Sequence, residues 1–524
     1  MPIFNPITMK RLFKTLFACG FIASAAFFLS GCDNEDDPGP QLTGNSKEYA
    51  LSSVSDPAID GTVTFAERDD DQVLITIQLA GTQSGATHPA HIHANSAAES
   101  GGIVLDLTAV NGADGKSETI VKAWNDGTPL TYDDLLNYDG YLNVHASESD
   151  LGTLVAQGDI GSNELTGDNK VYTLNPVADP AVTGTATFAK RKNGATLVTV
   201  ALNGTQAGAS HPSHIHANTI AQGGSIVINL KNVDGTTGMA KSNVDTLNNG
   251  TPITYEELLD FNGYLNVHTG STFVVQGDIG ANELTGDKKV YTMQPVVDPT
   301  VTGTVTLEKR KKGTTLVTVD LDGIKDALSH ASHFHATTIA QGGSITINLK
   351  SVDGTTGFAQ TSVDTLNNGT PITYDELLNY DGYVNVHSGS SFVAQVDIGQ
   401  NELTGIHQHY ALNELNGSGM TGEVTIDKRK NGKAQVTIAV TPTAGVNHLA
   451  HIHAGNAAAG GAVVLDLKNV NGTTGLSVTS VNALNDTTPI TYDQLVAFDG
   501  HVNVHMSTTD LAIAAQGDIG SNAD

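Results

Sequence analysis

A histidine motif of one form occurs four times along the chain, and each copy is followed by a further histidine about 50 residues later. The first copy is His88-Pro-Ala-His91-Ile-His93, and the Asn-Val-His segment that follows it ends at His145. Scattered surface histidines would not fall into four fixed positions, so the pattern needs a physical explanation. These positions hold 16 of the 19 histidines, and they are His88, His91, His93, His145, His211, His214, His216, His268, His330, His333, His335, His387, His448, His451, His453 and His505.

The spacing of these histidines suits a metal site. His91 and His93 are two residues apart on a predicted strand, so their side chains share one face, roughly 6.6 Å apart along the chain. His145 lies on another predicted strand, and side chains on neighbouring strands approach to about 5 Å. Three neutral imidazoles that converge are a common ligand set for copper or zinc. His88 is then either a fourth ligand or a group that orients the other three.

The alternative is purely structural, with neutral histidines that hydrogen-bond to the backbone or to one another.

If the cluster binds a metal ion, the residues around it indicate which one. It contains no cysteine and no recurring carboxylate beside it, which favours copper or zinc over iron or calcium. Asp159, Asp278, Asp397 and Asp518 recur near the end of each copy. They either support a ring nitrogen or serve as turn residues at a strand end.

Composition limits the fold and the partners. The chain has 524 residues, 56 of them glycine, with 5% aromatic and 15% charged residues, which favours several domains of short strands over long helices. The formal net charge of −29 repels nucleic acid and anionic lipid but can attract cations. The two cysteines are Cys19 and Cys32, so the domains after them contain no disulfide.

The N-terminus predicts a secretory leader. Residues 1–31 combine a basic start with an apolar run, and Leu29-Ser-Gly-Cys32 resembles the lipobox of bacterial lipoproteins. The resemblance implies that residues 1–31 are a signal peptide and that Cys32 becomes the lipidated first residue. Residues 32–44 then form an acidic tether. These features predict a lipid-anchored protein of the bacterial outer membrane or cell surface, with the membrane and an unidentified protein as partners.

The repeats are of domain size. His91, His214, His333 and His451 are separated by 123, 119 and 118 residues, so four whole domains follow one another. Recurring Asn-Glu-Leu-Thr-Gly segments separate the copies, and their shortness predicts that neighbouring domains touch. The predicted domains are 45–162, 168–281, 287–400 and 406–524.

Each copy predicts antiparallel strands and one short helix. The apolar residues alternate, as in Thr196-Leu-Val-Thr-Val-Ala-Leu202, and Lys190-Arg-Lys-Asn-Gly194 is typical of a hairpin turn. Thr254 with Glu257 and Thr373 with Glu376 form capping boxes, with weaker versions in the other two copies. The predicted fold is all-β: four tandem antiparallel β-sandwich domains, immunoglobulin-like or superoxide-dismutase-like, each with one short helix.

The paired motifs resemble a known family. His91-Ile-His93, then Gly101-Gly102 before an apolar strand, then Gly140-Tyr-Leu-Asn-Val-His145 are similar to the CHRD domain, the module named from chordin. The resemblance covers about residues 45–520. It implies the fold and an extracellular location more than a particular activity. The family's closing Gly-Glu-Ile-Arg-Gly-like run is replaced here by Val275-Gln-Gly-Asp-Ile279 and its equivalents.

The histidines also resemble the copper ligands of copper/zinc superoxide dismutase. The chain lacks a separate His/His/Asp zinc set, the disulfide and a recurring arginine near the cluster, so dismutase activity is not expected. Three hypotheses follow. The first is a non-enzymatic, lipid-anchored array of CHRD-like domains that bind copper or zinc. The second is a structural or adhesive array with purely structural histidines, and the third is a dismutase-type redox enzyme.

Overall fold

The computed structural model describes residues 39–324 and 326–523, and almost all of its regular structure is β-strand. The predicted signal peptide, Cys32 and most of the acidic tether lie outside these residues. Four successive units, each built mainly of antiparallel strands with one short helix, follow one another along the chain. The all-β class, the tandem arrangement and the single helix per unit are therefore confirmed.

The first unit is a closed sheet of eight strands in the order β1-β2-β3-β6-β5-β4-β7-β8, with β8 paired to β1. Its strands are β1 (Leu42–Ser53), β2 (Gly61–Arg68), β3 (Val73–Leu79), β4 (Thr87–Ala94), β5 (Ile103–Asn111), β6 (Lys116–Val121), β7 (Asp139–Ser147) and β8 (Asp150–Gly161), and its helix is α1 (Tyr132–Asn137).

The second and third units repeat this order, but the strands equivalent to β4 and β5 are each divided in two. The second unit contains β9 (Leu165–Pro176), β10 (Thr183–Arg191), β11 (Thr196–Asn203), β12 (Ser210–His211), β13 (Ser213–Ala217), β14 (Ile226–Asn229), β15 (Val233–Asp234), β16 (Met239–Val244), α2 (Tyr255–Leu259), β17 (Asn262–Thr269) and β18 (Thr272–Gly280). The third contains β19 (Leu284–Pro295), β20 (Thr302–Arg310), β21 (Thr315–Asp322), β22 (Ser329–His330), β23 (Ser332–Ala336), β24 (Ile345–Asn348), β25 (Val352–Asp353), β26 (Phe358–Val363), α3 (Tyr374–Leu377), β27 (Asp381–Ser388) and β28 (Ser391–Gly399).

The fourth unit has eight strands in the same spatial sequence. They are β29 (Leu403–Glu414), β30 (Gly422–Arg429), β31 (Ala434–Val440), β32 (Ala450–Ala454), β33 (Val463–Asp466), β34 (Leu476–Val481), β35 (Asp499–His505) and β36 (Ile513–Gly520), with α4 (Tyr492–Leu495) before β35.

The long first strand of each unit joins two layers of sheet. In the first unit, Lys47 pairs with Phe65 of β2, whereas Ser52 and Ser53 at the far end of β1 pair with β8. Alternate residues face inward, so Val63 and Phe65 of β2 are completely buried. Each unit has its own apolar core, as expected of successive domains.

The four helices begin where the sequence predicts. Thr254 accepts a hydrogen bond from the backbone N–H of Glu257, and the Glu257 side chain accepts one from the Thr254 N–H. Thr131, Thr373 and Thr491 form the same reciprocal contacts. This confirms all four capping boxes, including the two weaker ones. Among the described residues, no helix has the length and apolar character that crossing a membrane requires.

A buried arginine joins each of the last three units to the one before it. Arg191, at the end of β10, is completely buried and donates to Asp159 of the first unit at 2.8 Å and to the backbone oxygen of Asn163. Arg310 with Asp278 and Arg429 with Asp397 repeat this arrangement at the next two junctions. We call these contacts the junction clamps. They confirm that neighbouring units touch.

Candidate metal centre

In three of the four units, three imidazoles converge. The ring nitrogens of His91, His93 and His145 that could bind an ion all lie within 4.8 Å of one another. The same holds for His333, His335 and His387, and for His451, His453 and His505. We call these sets the first, third and fourth triads. The structure thus brings together nine of the 16 predicted ligands.

Strand pairing produces each triad. In the first unit, β4 and β7 are antiparallel neighbours, with His91 opposite Asn143. Ile92 and Val144 point into the core and are completely buried, so the histidines next to them in sequence lie on the other face. The ring centroids of His91 and His145 are 5.1 Å apart. The predicted convergence of two strands is therefore confirmed for this unit.

Backbone carbonyls determine which nitrogen of each ring carries the proton. Nδ1 of His93 lies 2.9 Å from the carbonyl oxygen of Gly101, and Nδ1 of His145 lies 2.7 Å from that of Leu151. A carbonyl can only accept, so both rings carry the proton on Nδ1. Each Nε2 therefore presents a lone pair, which is the state that binds a metal ion.

In the third unit, the converging nitrogens lack other partners. His333 Nδ1, His335 Nε2 and His387 Nε2 are buried and make no hydrogen bond within the described chain. His335 Nδ1 again faces a carbonyl, that of Gly343, at 2.8 Å. Leaving buried polar atoms unpaired costs about 1–3 kcal/mol each. A cation bound by all three nitrogens would remove this cost, so the donor set fits a metal ion.

Burial keeps these rings neutral. Desolvation lowers the pKa of His91, and the neighbouring His145 lowers it further, although Asp106 opposes the effect. Burial likewise lowers the pKa values of His333 and His387. At pH 7 the rings of His91, His333 and His387 are therefore neutral, and the nitrogen without a proton is able to bind a metal ion.

The second unit has the same histidines in a different arrangement. His214 Nδ1 and His268 Nε2 are 3.3 Å apart and their rings are stacked, but His216 does not complete a triad within the distances found in the other units. His268 Nδ1 contacts the carbonyl oxygen of Gly270, only two residues away. In the first unit the corresponding carbonyl is six residues away. The third unit has a turn of the same length after His387 and keeps its triad, so the contact with the Gly270 carbonyl, rather than the length of the turn, distinguishes His268.

The first histidine of each motif lies outside the triads. His88 is buried, and its Nδ1 is 3.1 Å from the backbone oxygen of His145. His330 and His448 make the same contact with the backbone oxygens of His387 and His505, whereas His211 contacts the Thr269 hydroxyl. These contacts fit the expected orienting role. They give no geometric support to a fourth ligand.

The recurring aspartates do not contact the imidazoles. Asp159 accepts a hydrogen bond from the backbone N–H of Ala97 with one oxygen and pairs with Arg191 through the other. A different carboxylate lies beside the first triad: Asp106 is opposite His91 on β5, 3.8 Å from its Nε2. Asp466 stands 3.6 Å from His451 in the fourth unit, while Asn229 and Asn348 occupy this position in the others. A carboxylate therefore lies beside the triad in two units, but it does not recur in all four.

With the fold and the triads described, comparison with known proteins gives the family. The model of the CHRD domain matches residues 41–155, 162–272 and 281–392, together more than half of the chain. The chain therefore belongs to the CHRD domain family, which confirms the resemblance of the histidine motifs. The fourth unit lies outside these matches but shares their strand order and histidine positions. No curated protein matches the chain.

Proposed function

We propose that this protein is a lipid-anchored, non-enzymatic protein of the cell envelope whose CHRD-type domains bind copper or zinc through their histidine triads. The observation that carries the proposal is the convergence of three imidazoles in each of three units. Imidazole nitrogens without thiolates are typical ligands of copper and zinc. The anchor is supported by Leu29-Ser-Gly-Cys32 at the end of the predicted leader.

The geometry favours binding with a small adjustment. Zinc binds imidazole nitrogen at about 2.0–2.1 Å, so three tetrahedral ligand atoms lie about 3.4 Å apart. His451 Nδ1 and His505 Nε2 are already 3.2 Å apart, and the third nitrogen of that triad is within 4.8 Å of both. An ion therefore has to draw one ring inward by at most about 1.4 Å. In the second unit His216 does not complete a triad, so we expect weaker binding there.

Metal analysis of the purified mature protein tests this proposal. The protein is stripped with a chelator and dialysed against buffered zinc or copper, and the bound metal is counted. His387→Ala should lose one equivalent, because it removes one nitrogen of the third triad. His268→Ala is the matched control, since the same strand position in the second unit lies outside a triad. Failure of the wild-type protein to bind either metal would refute metal binding.

The anchor needs its own experiment. Cys32→Ser should release the protein from membranes and abolish the incorporation of labelled fatty acid in bacterial cells. Unchanged labelling and fractionation would contradict lipidation at Cys32. Superoxide turnover by the copper-loaded protein no faster than that of free copper would support the non-enzymatic proposal, and faster turnover would contradict it.

The second candidate function is a structural or adhesive array with purely structural histidines. The junction clamps favour it, because they join the described units into a continuous row. Carbonyl hydrogen bonds to His93 and His145 are also compatible with a structural role. The metal analysis separates the two candidates, because this one predicts no copper or zinc that depends on the triads.

A further inference from the structure

The fourth unit carries two histidines outside the repeated motifs on one exposed strand. His407 and His409 lie two residues apart on β29, and their ring centroids are 4.8 Å apart. Tyr410, next to His409, is buried in the core, so the two imidazoles lie on the outer face of the sheet. Both side chains are exposed, and neither residue occupies one of the four repeated histidine positions.

The neighbouring strand places two carboxylates on the same outer face. On β30, Asp427 is the direct partner of His407 and Thr425 is the direct partner of His409. Side chains at such paired positions come within about 5 Å. Glu423 is two residues beyond Thr425, and its Oε2 lies 3.7 Å from His409 Nδ1. The face therefore presents two imidazoles and two carboxylates, which we call the β29–β30 cluster. Its ligand atoms do not lie as close together as those of the triads, so binding requires these exposed side chains to rotate toward the ion.

The corresponding positions of the other units differ. Alignment of the buried tyrosines Tyr172 and Tyr410, together with the strand pairing, places Asn169 and Val171 where the fourth unit has its histidines. The same register places Ala189 and Thr185 at the positions of Asp427 and Glu423. The four chemical groups thus occur together in the fourth unit and are all missing from the second.

One further observation favours a bound cation. Thr425 Oγ1 lies 3.0 Å from His409 Nδ1, and this contact orients the ring so that Nε2 remains available. Asp427 is half-buried beside His407, its direct partner on the neighbouring strand.

We infer that the β29–β30 cluster is a second kind of metal site, which binds a divalent transition-metal ion such as zinc through His407, His409 and Asp427. Two imidazoles and a carboxylate are a ligand set for such ions. The site is exposed and lies on a different face from the triads, so it exchanges metal with the solution more readily. It is independent of the proposed function of the triads.

The test compares zinc binding by the full mature protein and by variants that restore the residues of the second unit. The double variant His407→Asn/His409→Val should lose one zinc equivalent and leave the rest of the titration unchanged. Asp427→Ala removes a ligand and should weaken that equivalent by at least roughly 10–100-fold, the loss that removal of even a supporting group causes at other metal sites. Folding is expected to persist, because the second unit carries these residues naturally.

His387→Ala serves as the control that separates this inference from the triads. It should remove a different equivalent and leave the β29–β30 cluster able to bind zinc. If the triads bind nothing, one equivalent sensitive to His407→Asn/His409→Val should still be present. Equal zinc binding by the wild-type protein and the double variant would overturn the inference.

Discussion

Replacing Arg310 by methionine should open the junction between the second and third units. Arg310 is completely buried and donates to Asp278 at 2.5 Å and to the backbone oxygen of Asn282 at 2.6 Å. Methionine fills much of the same volume but removes both the charge and the donors. Asp278, only 12% exposed, would then be left without its cationic partner.

The expected cost follows from this burial. Removing one partner of a buried ion pair destabilises a protein by about 3–5 kcal/mol. Asp278 keeps a hydrogen bond from the backbone N–H of Ile220 and some contact with water, so the lower limit of about 3 kcal/mol applies. This free energy corresponds to roughly a 100-fold increase in the equilibrium constant for opening the junction.

Hydrogen exchange of two backbone amides measures the effect directly. The N–H groups of Lys311 and Lys312 donate to the carbonyls of Glu283 and Ala281 across this junction. Both should exchange roughly 100-fold faster in Arg310→Met. The double variant Arg310→Met/Asp278→Asn should recover part of the loss, because it leaves no unpaired charge.

Arg68 provides the matched control, since it occupies the same position in the first unit. It pairs only with Asp70 in its own turn at 3.2 Å, so Arg68→Met should cost less than about 1 kcal/mol. Unchanged exchange of Lys311 and Lys312 in Arg310→Met would refute the role assigned to the junction clamp. Equal destabilisation by the two methionine variants would refute it as well.

Three further predictions concern the helices, the cores and the differences between units. Thr373→Ala removes the N-cap of α3 and should lower the free energy of unfolding of the third unit by about 1 kcal/mol, measured by urea denaturation. Phe334→Ala empties a completely buried position between two histidines and should cost about 3–5 kcal/mol in the same assay; a cost under 1 kcal/mol would contradict the packing described. His216→Ala should change zinc binding less than His335→Ala, because only the latter belongs to a triad, and equal losses would contradict the difference between the units.

Much of the fold could be predicted because its signals are local. Alternating apolar residues define the strands, and the Thr254–Glu257 capping box needs only four residues of sequence. The closure of the sheet in the first unit was not predictable in this way. It depends on β5 pairing without a break with both β4 and β6, whereas the equivalent strand is divided in the second and third units.

The junction clamps show where local signals mislead. Lys190-Arg-Lys-Asn-Gly194 has the composition of an exposed turn, yet Arg191 is completely buried because the preceding unit covers it. The sequence nevertheless contains a pattern from which the junction clamps could have been predicted. Arginine occupies this position in all four units, within a Lys-Arg-Lys-x-Gly segment in three of them, and an aspartate recurs near the end of each.

The triads could be predicted in part for a similar reason. A spacing of two residues places His91 and His93 on one face, and their pairing with the strand of His145 was a reasonable inference from two recurring motifs. The difference of the second unit was not predictable from those motifs, which are nearly identical. It accompanies a hydrogen bond from His268 Nδ1 to the Gly270 carbonyl, although the third unit has a turn of the same length and keeps its triad.

The most direct test of the central claim counts the metal that depends on the third histidine of each triad. Zinc retained after dialysis is measured for the wild-type protein and for the triple variant His145→Ala/His387→Ala/His505→Ala. We predict that the triple variant binds three equivalents fewer, with circular dichroism showing that its strands remain folded. Equal zinc contents in the two folded proteins would contradict the account.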